Sequence, residues 1–305
     1  MSETVLAIIQ LDNFPQHVAN RAAWIARLYG YDLHLLLSDP SLAVLRDSFI
    51  VSNEAKEIAR SIETAQQQLL DDLKDAVSEH GEIQITTTIT HDRPAHDAII
   101  AQALEIEPKV VVKGTQYHSP AERATFAYTD WQLIRKLNAP LWFVKPNEWK
   151  DAPVLVAAVD PTHQHDKAGS LDQKIIDFGK SIASKCGGHL ILLHTYQRLV
   201  EIGTYAKFKF KPVKLPIDEL DKNIRAEHRQ KLDALAAAND IPADSVHQLP
   251  GRTHDILPTF ARTRGADLVI MGALARSGLR QRTLGSTAER VLDHLHCDIL
   301  VARSD

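Results

Sequence analysis

The chain has 305 residues, of which 44% are hydrophobic and 24% charged, and a formal charge of −4. That length suits two domains of about 150 residues each, and the composition is that of a globular protein with a full core. The mildly acidic balance excludes a nucleic-acid or membrane-surface binder working by bulk charge. No run approaches the ~20 apolar residues of a membrane span. Cys186 and Cys297 are too few for a disulfide framework; each follows an apolar helical pattern and reads as a buried thiol, which points to a reducing cytoplasm.

The chain opens on Val5–Leu11, an apolar strand that runs into Asp12, with no basic segment before it, so it reads as a strand and not as a signal peptide. Val18, Ala22, Ile25, Ala26 and Tyr29 then recur at helical spacing, and Gly30 closes that helix. A second strand follows at Leu33–Leu37. Residues 53–79 predict a long, highly charged helix with few large apolar side chains, lying on the outside. Ile83–Thr90 is a β-branched strand, a helix starts near Pro94, and Val110–Lys113 makes a buried strand. A helix over 129–137 and the strand Leu141–Val144 complete the first half.

Residues 145–153 are polar, hold two prolines and form a linker, which predicts domains at 1–147 and 148–305. Then the pattern restarts. Val154–Val159 runs into Asp160 as Val5–Leu11 ran into Asp12. A helix over 170–187 closes on Gly187 and Gly188, Leu190–Leu193 makes a strand, and 217–238 repeats the long charged helix. Ser245–Leu249, a helix over 253–264, and the stretch 267–301 finish the copy. Strands alternating with helices require parallel pairing and right-handed crossovers. The expected fold is therefore α/β: two doubly wound five-stranded parallel sheets in tandem.

The stretch 267–301 carries the chemistry. Leu268–Met271 is a buried strand ending at Gly272, and Gly285, Ser286 and Thr287 open a helix thirteen positions on. Between them lie Arg276, Ser277, Gly278, Arg280 and Arg282. Glycines let backbone N–H groups approach a phosphate closely, and the helix N-terminus adds unpaired N–H groups and a positive dipole end. Arginine forks neutralise phosphates, and Arg276 is the candidate among the three. Ser286-x-x-Glu289 is equally a capping box, which needs no ligand.

The spacing resembles the nucleotide loop of the universal stress protein family, Gly-x2-Gly-x9-Gly-Ser/Thr. Gly272, Gly285 and Ser286 fall on it, while Ala275 stands at the second glycine, with Gly278 nearby. Nearly the whole chain resembles the tandem, E-type members of that family. The repeated strand–Asp starts and the matching Asp92-Arg93-Pro94 and Gly251-Arg252-Thr253 turns carry the likeness. The resemblance implies strand order 3-2-1-4-5 and a ligand crevice at the carboxyl ends of strands one and four. It implies ATP with Mg²⁺ as cofactor, Asp160 at the ribose, and Thr195 beside adenine through its main chain. It also implies a cytoplasmic stress-response regulator, at most a slow ATPase. No Walker lysine follows the glycines and no general base lies in the loop. The fused halves are expected to form an intramolecular pseudo-dimer through their last strands, with a homodimer of it as an alternative, and protein partners stay unnamed.

Three further readings follow from residues. The first-half loop, 114–127, keeps Gly114 but has Ala127 and Tyr128 where Gly285 and Ser286 stand, with Tyr117, Pro120, Glu122 and Phe126 crowding it. No nucleotide is expected there. His163, His165, His194 and His254, four of fifteen histidines, sit at or after strand ends and are candidates for Zn²⁺, although the usual Cys pair or His-x3-His helix is missing. Residues 205–215, YAKFKFKPVKL, alternate aromatic and basic side chains. With the changed first-half loop they motivate an alternative: a binding module for a larger metabolite, a nucleotide-sugar or lipid-linked intermediate, without ATP turnover.

Overall fold

The structure is a computed structural model that describes residues 2–43, 53–115, 129–162, 166–198, 217–273 and 291–303, with the side chains of 166–169 and 217 outside the description. The chain separates into two compact units, Met1–Glu148 and Trp149–Asp305.

Unit one runs β1 (Thr4–Ile9), α1 (Pro15–Tyr29), β2 (Asp32–Ser38), α2 (Asn53–Ser78), β3 (Ile85–Thr90), α3 (Ala95–Ile106), β4 (Val110–Gly114), α4 (Thr129–Lys136) and β5 (Leu141–Val144). Its strands lie in the order β3-β2-β1-β4-β5, and each pairing is parallel. The central strands are apolar at nearly every position because parallel sheets are covered on both faces: Val5–Ile9, Leu33, Leu35–Leu37 and Val111–Val112 are all buried. Helix α1 presents Ala19, Ala22, Ala23 and Ala26, small residues that let it lie close on β1 and β4, and it ends on Gly30 at φ 72°. The long charged helix expected on the outside is α2. Its second half is packed, with Gln66, Leu70, Leu73 and Val77 buried, because these fall at i, i+4, i+7 and i+11 on one face.

Unit two repeats the plan with β6 (Val154–Ala158), α5 (Asp166–Cys186), β7 (His189–Tyr196), α6 (Ile217–Ala238), β8 (Val246–Pro250), α7 (Thr253–Arg264), β9 (Leu268–Ala273) and β10 (Asp298–Arg303). The order is β8-β7-β6-β9-β10, again parallel in every pairing. Both units thus show the expected order 3-2-1-4-5. In each, the chain moves one way from the first strand and then crosses back to set the fourth strand on its other side. That reversal opens a crevice at the carboxyl ends of β1/β4 in unit one and of β6/β9 in unit two, where open α/β sheets bind ligands.

Candidate functional site

The crevice of unit two is built from the ends of β6, β7 and β9. Asp160 lies two residues past β6. Its backbone N–H donates to both carboxylate oxygens of Asp172 on α5, at 3.1 and 3.2 Å, and Asp172 is 5% exposed. The Asp160 carboxylate accepts the Thr162 hydroxyl at 2.6 Å and the Thr162 N–H at 3.3 Å, so a tight local turn holds it at the crevice mouth. Its side chain is 43% exposed. Asp160 thus caps the turn while still facing solvent.

Behind Asp160 sits His194, 1% exposed on β7. Its Nδ1 lies 3.1 Å from the Val159 carbonyl and 3.8 Å from Asp160 Oδ1, and its Nε2 lies 2.8 Å from His228 Nδ1 on α6. A carbonyl can only accept, so His194 carries its proton on Nδ1. Its Nε2 is then an acceptor for the Nδ1–H of His228. Both ring nitrogens are committed inside the protein. As a zinc candidate His194 would have to give up one of these bonds. His254, in the first turn of α7, has Nε2 3.6 Å from its neighbour Asp255. His163 and His165 lie outside the described residues. Among the described residues, no group of three or more His, Cys, Asp and Glu side chains is arranged to hold a metal.

Thr195, one residue on, uses its side chain internally: its hydroxyl and that of Thr253 bond at 2.7 Å, tying β7 to the start of α7. Its main chain pairs with Leu249 on the β8 side. Gly272 closes the other wall. A side chain there would run into Leu171 of α5, so internal packing alone favours the glycine. Arg276, Gly278, Gly285, Ser286 and Thr287 lie outside the described residues, as does the 205–215 arm.

In unit one the equivalent strand ends make internal contacts. The backbone carbonyl of Asn13, from the turn after β1, lies where a side chain on Gly114 would stand. Lys113, 2% exposed, donates from Nζ to Asp130 Oδ1 at 2.7 Å and to the Gly114 carbonyl at 2.9 Å, and the Thr115 hydroxyl donates to Asp130 Oδ2 at 2.8 Å. Asp130 sits in the first turn of α4, so a carboxylate of the protein itself occupies the position a helix N-terminus offers to an anion. Most of the crowded loop, 116–127, lies outside the described residues. Sequence reading missed Lys113 and Asp130; a lysine inside the otherwise apolar Val110–Val112 run was the available signal. His228 gave no such signal, being one polar residue on a charged helix.

Comparison with known proteins decides the family. The profile of the universal stress protein family matches residues 1–145 and 155–303. The chain belongs to the universal stress protein family. It is 30% identical over 224 residues to universal stress protein E of Escherichia coli K12, an alignment covering 71% of this chain and 67% of that one. It is 24% identical to universal stress protein E of Photorhabdus laumondii over 99% of this chain and 95% of the relative. Among solved structures, a functionally unknown protein of Pseudomonas aeruginosa PAO1 superposes with a TM-score of 0.72 at 23% identity, covering 100% of this chain and 93% of that one. A universal stress protein of Archaeoglobus fulgidus does so at 0.67 and 15%, over 100% and 97%. The two structures share the fold. The tandem arrangement is therefore that of a two-domain universal stress protein, and no described helix is long and apolar enough to cross a membrane.

Proposed function

We propose that this universal stress protein binds ATP, with Mg²⁺, in the β6/β9 crevice of unit two, and that it acts in the cytoplasm as a nucleotide-dependent regulator with at most slow hydrolysis. The observation that carries the reading is the placement of Asp160. Its carboxylate is oriented by Thr162 and its backbone is pinned by Asp172, at the mouth of a switch-point crevice. A carboxylate so held is an acceptor for ribose hydroxyls. Gly285, Ser286, Thr287, Gly278 and Arg276 would hold the phosphates. Unit one is assigned no nucleotide, because Ala127 and Tyr128 stand where Gly285 and Ser286 do. The thiols Cys186 and Cys297 are unbridged, in keeping with a reducing compartment.

A calorimetric ATP titration with Mg²⁺ tests this on the intact chain beside Asp160→Ala and Gly285→Val. The expected result is one site per chain, weakened by roughly tenfold or more in each variant. Two sites would overturn the assignment of unit one. No binding by the intact chain would sink the ATP reading and favour a larger metabolite, which native mass spectrometry of the purified protein would reveal as a co-purifying mass.

A further inference from the structure

The two units can be aligned residue by residue through their sheets. Asp32 N–H donates to the Glu3 carbonyl as His189 N–H donates to that of Pro153. Counting along β2 and β7 from these residues, Ser38 stands where Thr195 stands. Ser38 pairs with Thr90 and Thr195 with Leu249; four residues further on come Pro94 and Thr253, which are therefore equivalent. In unit two the two threonine hydroxyls bond to each other. In unit one the second hydroxyl is replaced by a proline ring. The Ser38 hydroxyl, in a residue only 3% exposed, is left without a hydrogen-bond partner. That difference marks the end of β2 as a place where the two units diverge.

The gap between the end of β2 and the start of α3 is an open cleft of about 680 Å³, lined by Asp39, Pro40, Ser41, Arg93, Pro94 and Ala95. Asp39 is rigidly presented. Its Oδ1 accepts the Ser41 N–H at 2.9 Å, and its Oδ2 accepts the Ser41 hydroxyl at 2.8 Å and the Gln66 amide at 2.7 Å. Gln66 is buried and is itself fixed by His91 Nε2, 2.8 Å from its Oε1. A carboxylate has about four acceptor positions, so one remains on Oδ1 for an incoming donor. On the opposite wall, Arg93 donates from Nε to the Pro40 carbonyl at 3.4 Å, which leaves both terminal nitrogens of the guanidinium for another acceptor. Among the described residues, neither Asp39 nor Arg93 has an oppositely charged side chain at ion-pair distance.

We propose that this cleft is a binding site for a small zwitterion of the α-amino acid type, its carboxylate on Arg93 and its ammonium on Asp39. The site is separate from the ATP crevice and from the ligand reading of unit two. A guanidinium fork matches a carboxylate bidentately. An ionised Asp39 only accepts, so the other end of the ligand must donate. The cleft carries one charge of each sign, so a dipolar ligand leaves neither uncompensated, whereas a phosphate would meet repulsion from Asp39. Pro40, Pro94 and Ala95 offer apolar surface to a side chain.

The test is calorimetry on the full chain with the twenty common amino acids, a 2-hydroxy acid lacking the ammonium group, and inorganic phosphate. The expected result is saturable binding of at least one amino acid at or below about millimolar concentration, with the hydroxy acid and phosphate at least roughly tenfold weaker. Asp39→Asn and Arg93→Gln should each weaken it by about tenfold. The ATP isotherm should hold for both variants, and the thermal midpoint without ligand should hold for Arg93→Gln. Absence of binding by every amino acid up to about 10 mM would overturn the proposal. So would binding that survives both charge variants, or phosphate binding that Asp39→Asn strengthens.

Discussion

His194 Nε2 and His228 Nδ1 are 2.8 Å apart, a hydrogen bond between two imidazoles that joins β7 to α6 immediately behind Asp160. The rings are tilted by 35° with centroids 5.1 Å apart, and the Tyr196 ring lies 5.8 Å from that of His228. Since His194 is buried, replacing His228 takes a hydrogen-bond donor from its Nε2. His228→Leu should destabilise unit two by about 1–3 kcal/mol, the penalty for an unmet buried acceptor. His228→Asn, which keeps a donor, should recover part of it. Urea unfolding of the three proteins reads this directly, and equal midpoints would mean the bond contributes nothing.

In unit one the Lys113–Asp130 pair predicts an asymmetry between single and double replacement. Both side chains are nearly fully buried, at 3% and 4% exposure. Asp130→Ala strands an ammonium beside the Gly114 carbonyl and takes the acceptor from Thr115, so a loss of about 3–5 kcal/mol is expected. Lys113→Met with Asp130→Leu removes both charges and should lie much nearer wild type, with a residual penalty from Thr115. Denaturant titrations of the single and double variants form the cycle. Additive losses would show that the two groups are not coupled.

How far the sequence carried the fold depends on which residues signal. Apolar strands running toward Asp12 and Asp160, and the helix ends at Gly30 and Gly187, carry the element order, because parallel strands buried on both faces cannot be written with polar residues, while the sheet order rests on the family resemblance. Ends shifted by a few residues where polar side chains take part in ladders, as at Asp32, Ser38 and Arg303. Asp160 was legible from its place after a strand. The His194–His228 bond, the Lys113–Asp130 pair and the Asp39–Gln66 clamp were not, because each joins residues far apart in sequence and single polar residues carry no periodicity.

Gly114 and Gly272 occupy equivalent positions but should respond differently to alanine. A methyl group on Gly114 meets the Asn13 backbone carbonyl and carbon, whereas on Gly272 it meets only the flexible end of Leu171. Backbone held in a turn by the Asn13 N–H to the Gln10 carbonyl at 3.1 Å moves aside less readily than a side-chain end. Gly272→Ala should therefore cost about 1–3 kcal/mol, the usual range for overpacking, and Gly114→Ala more than that. Thermal or urea unfolding ranks them, and a reversed order would mean the turn after β1 is softer than its packing against β4 implies.

The last prediction concerns acid. Burial holds the His34 imidazole below its ordinary range, opposed only by the negative charge of Glu105. Its Nδ1 is 2.7 Å from the Thr86 hydroxyl, while its Nε2 is buried without a partner, so a second proton there would be an unsolvated charge. Burial also lowers His247, helped by Arg264 and Arg229 and opposed by Asp244, and it lowers His296, helped by Arg262. A histidine whose folded value is depressed takes its proton more readily in the unfolded chain. The unfolded state then binds more protons once the pH drops below about 6.5, and stability must fall with pH in that window. Above it the contribution is fully present. Urea midpoints should thus fall between about pH 7.5 and 5.5, and His34→Gln should shrink that fall by removing the most buried of these groups. A midpoint that holds or rises on acidification would mean that carboxylates, not these histidines, dominate the proton balance of folding.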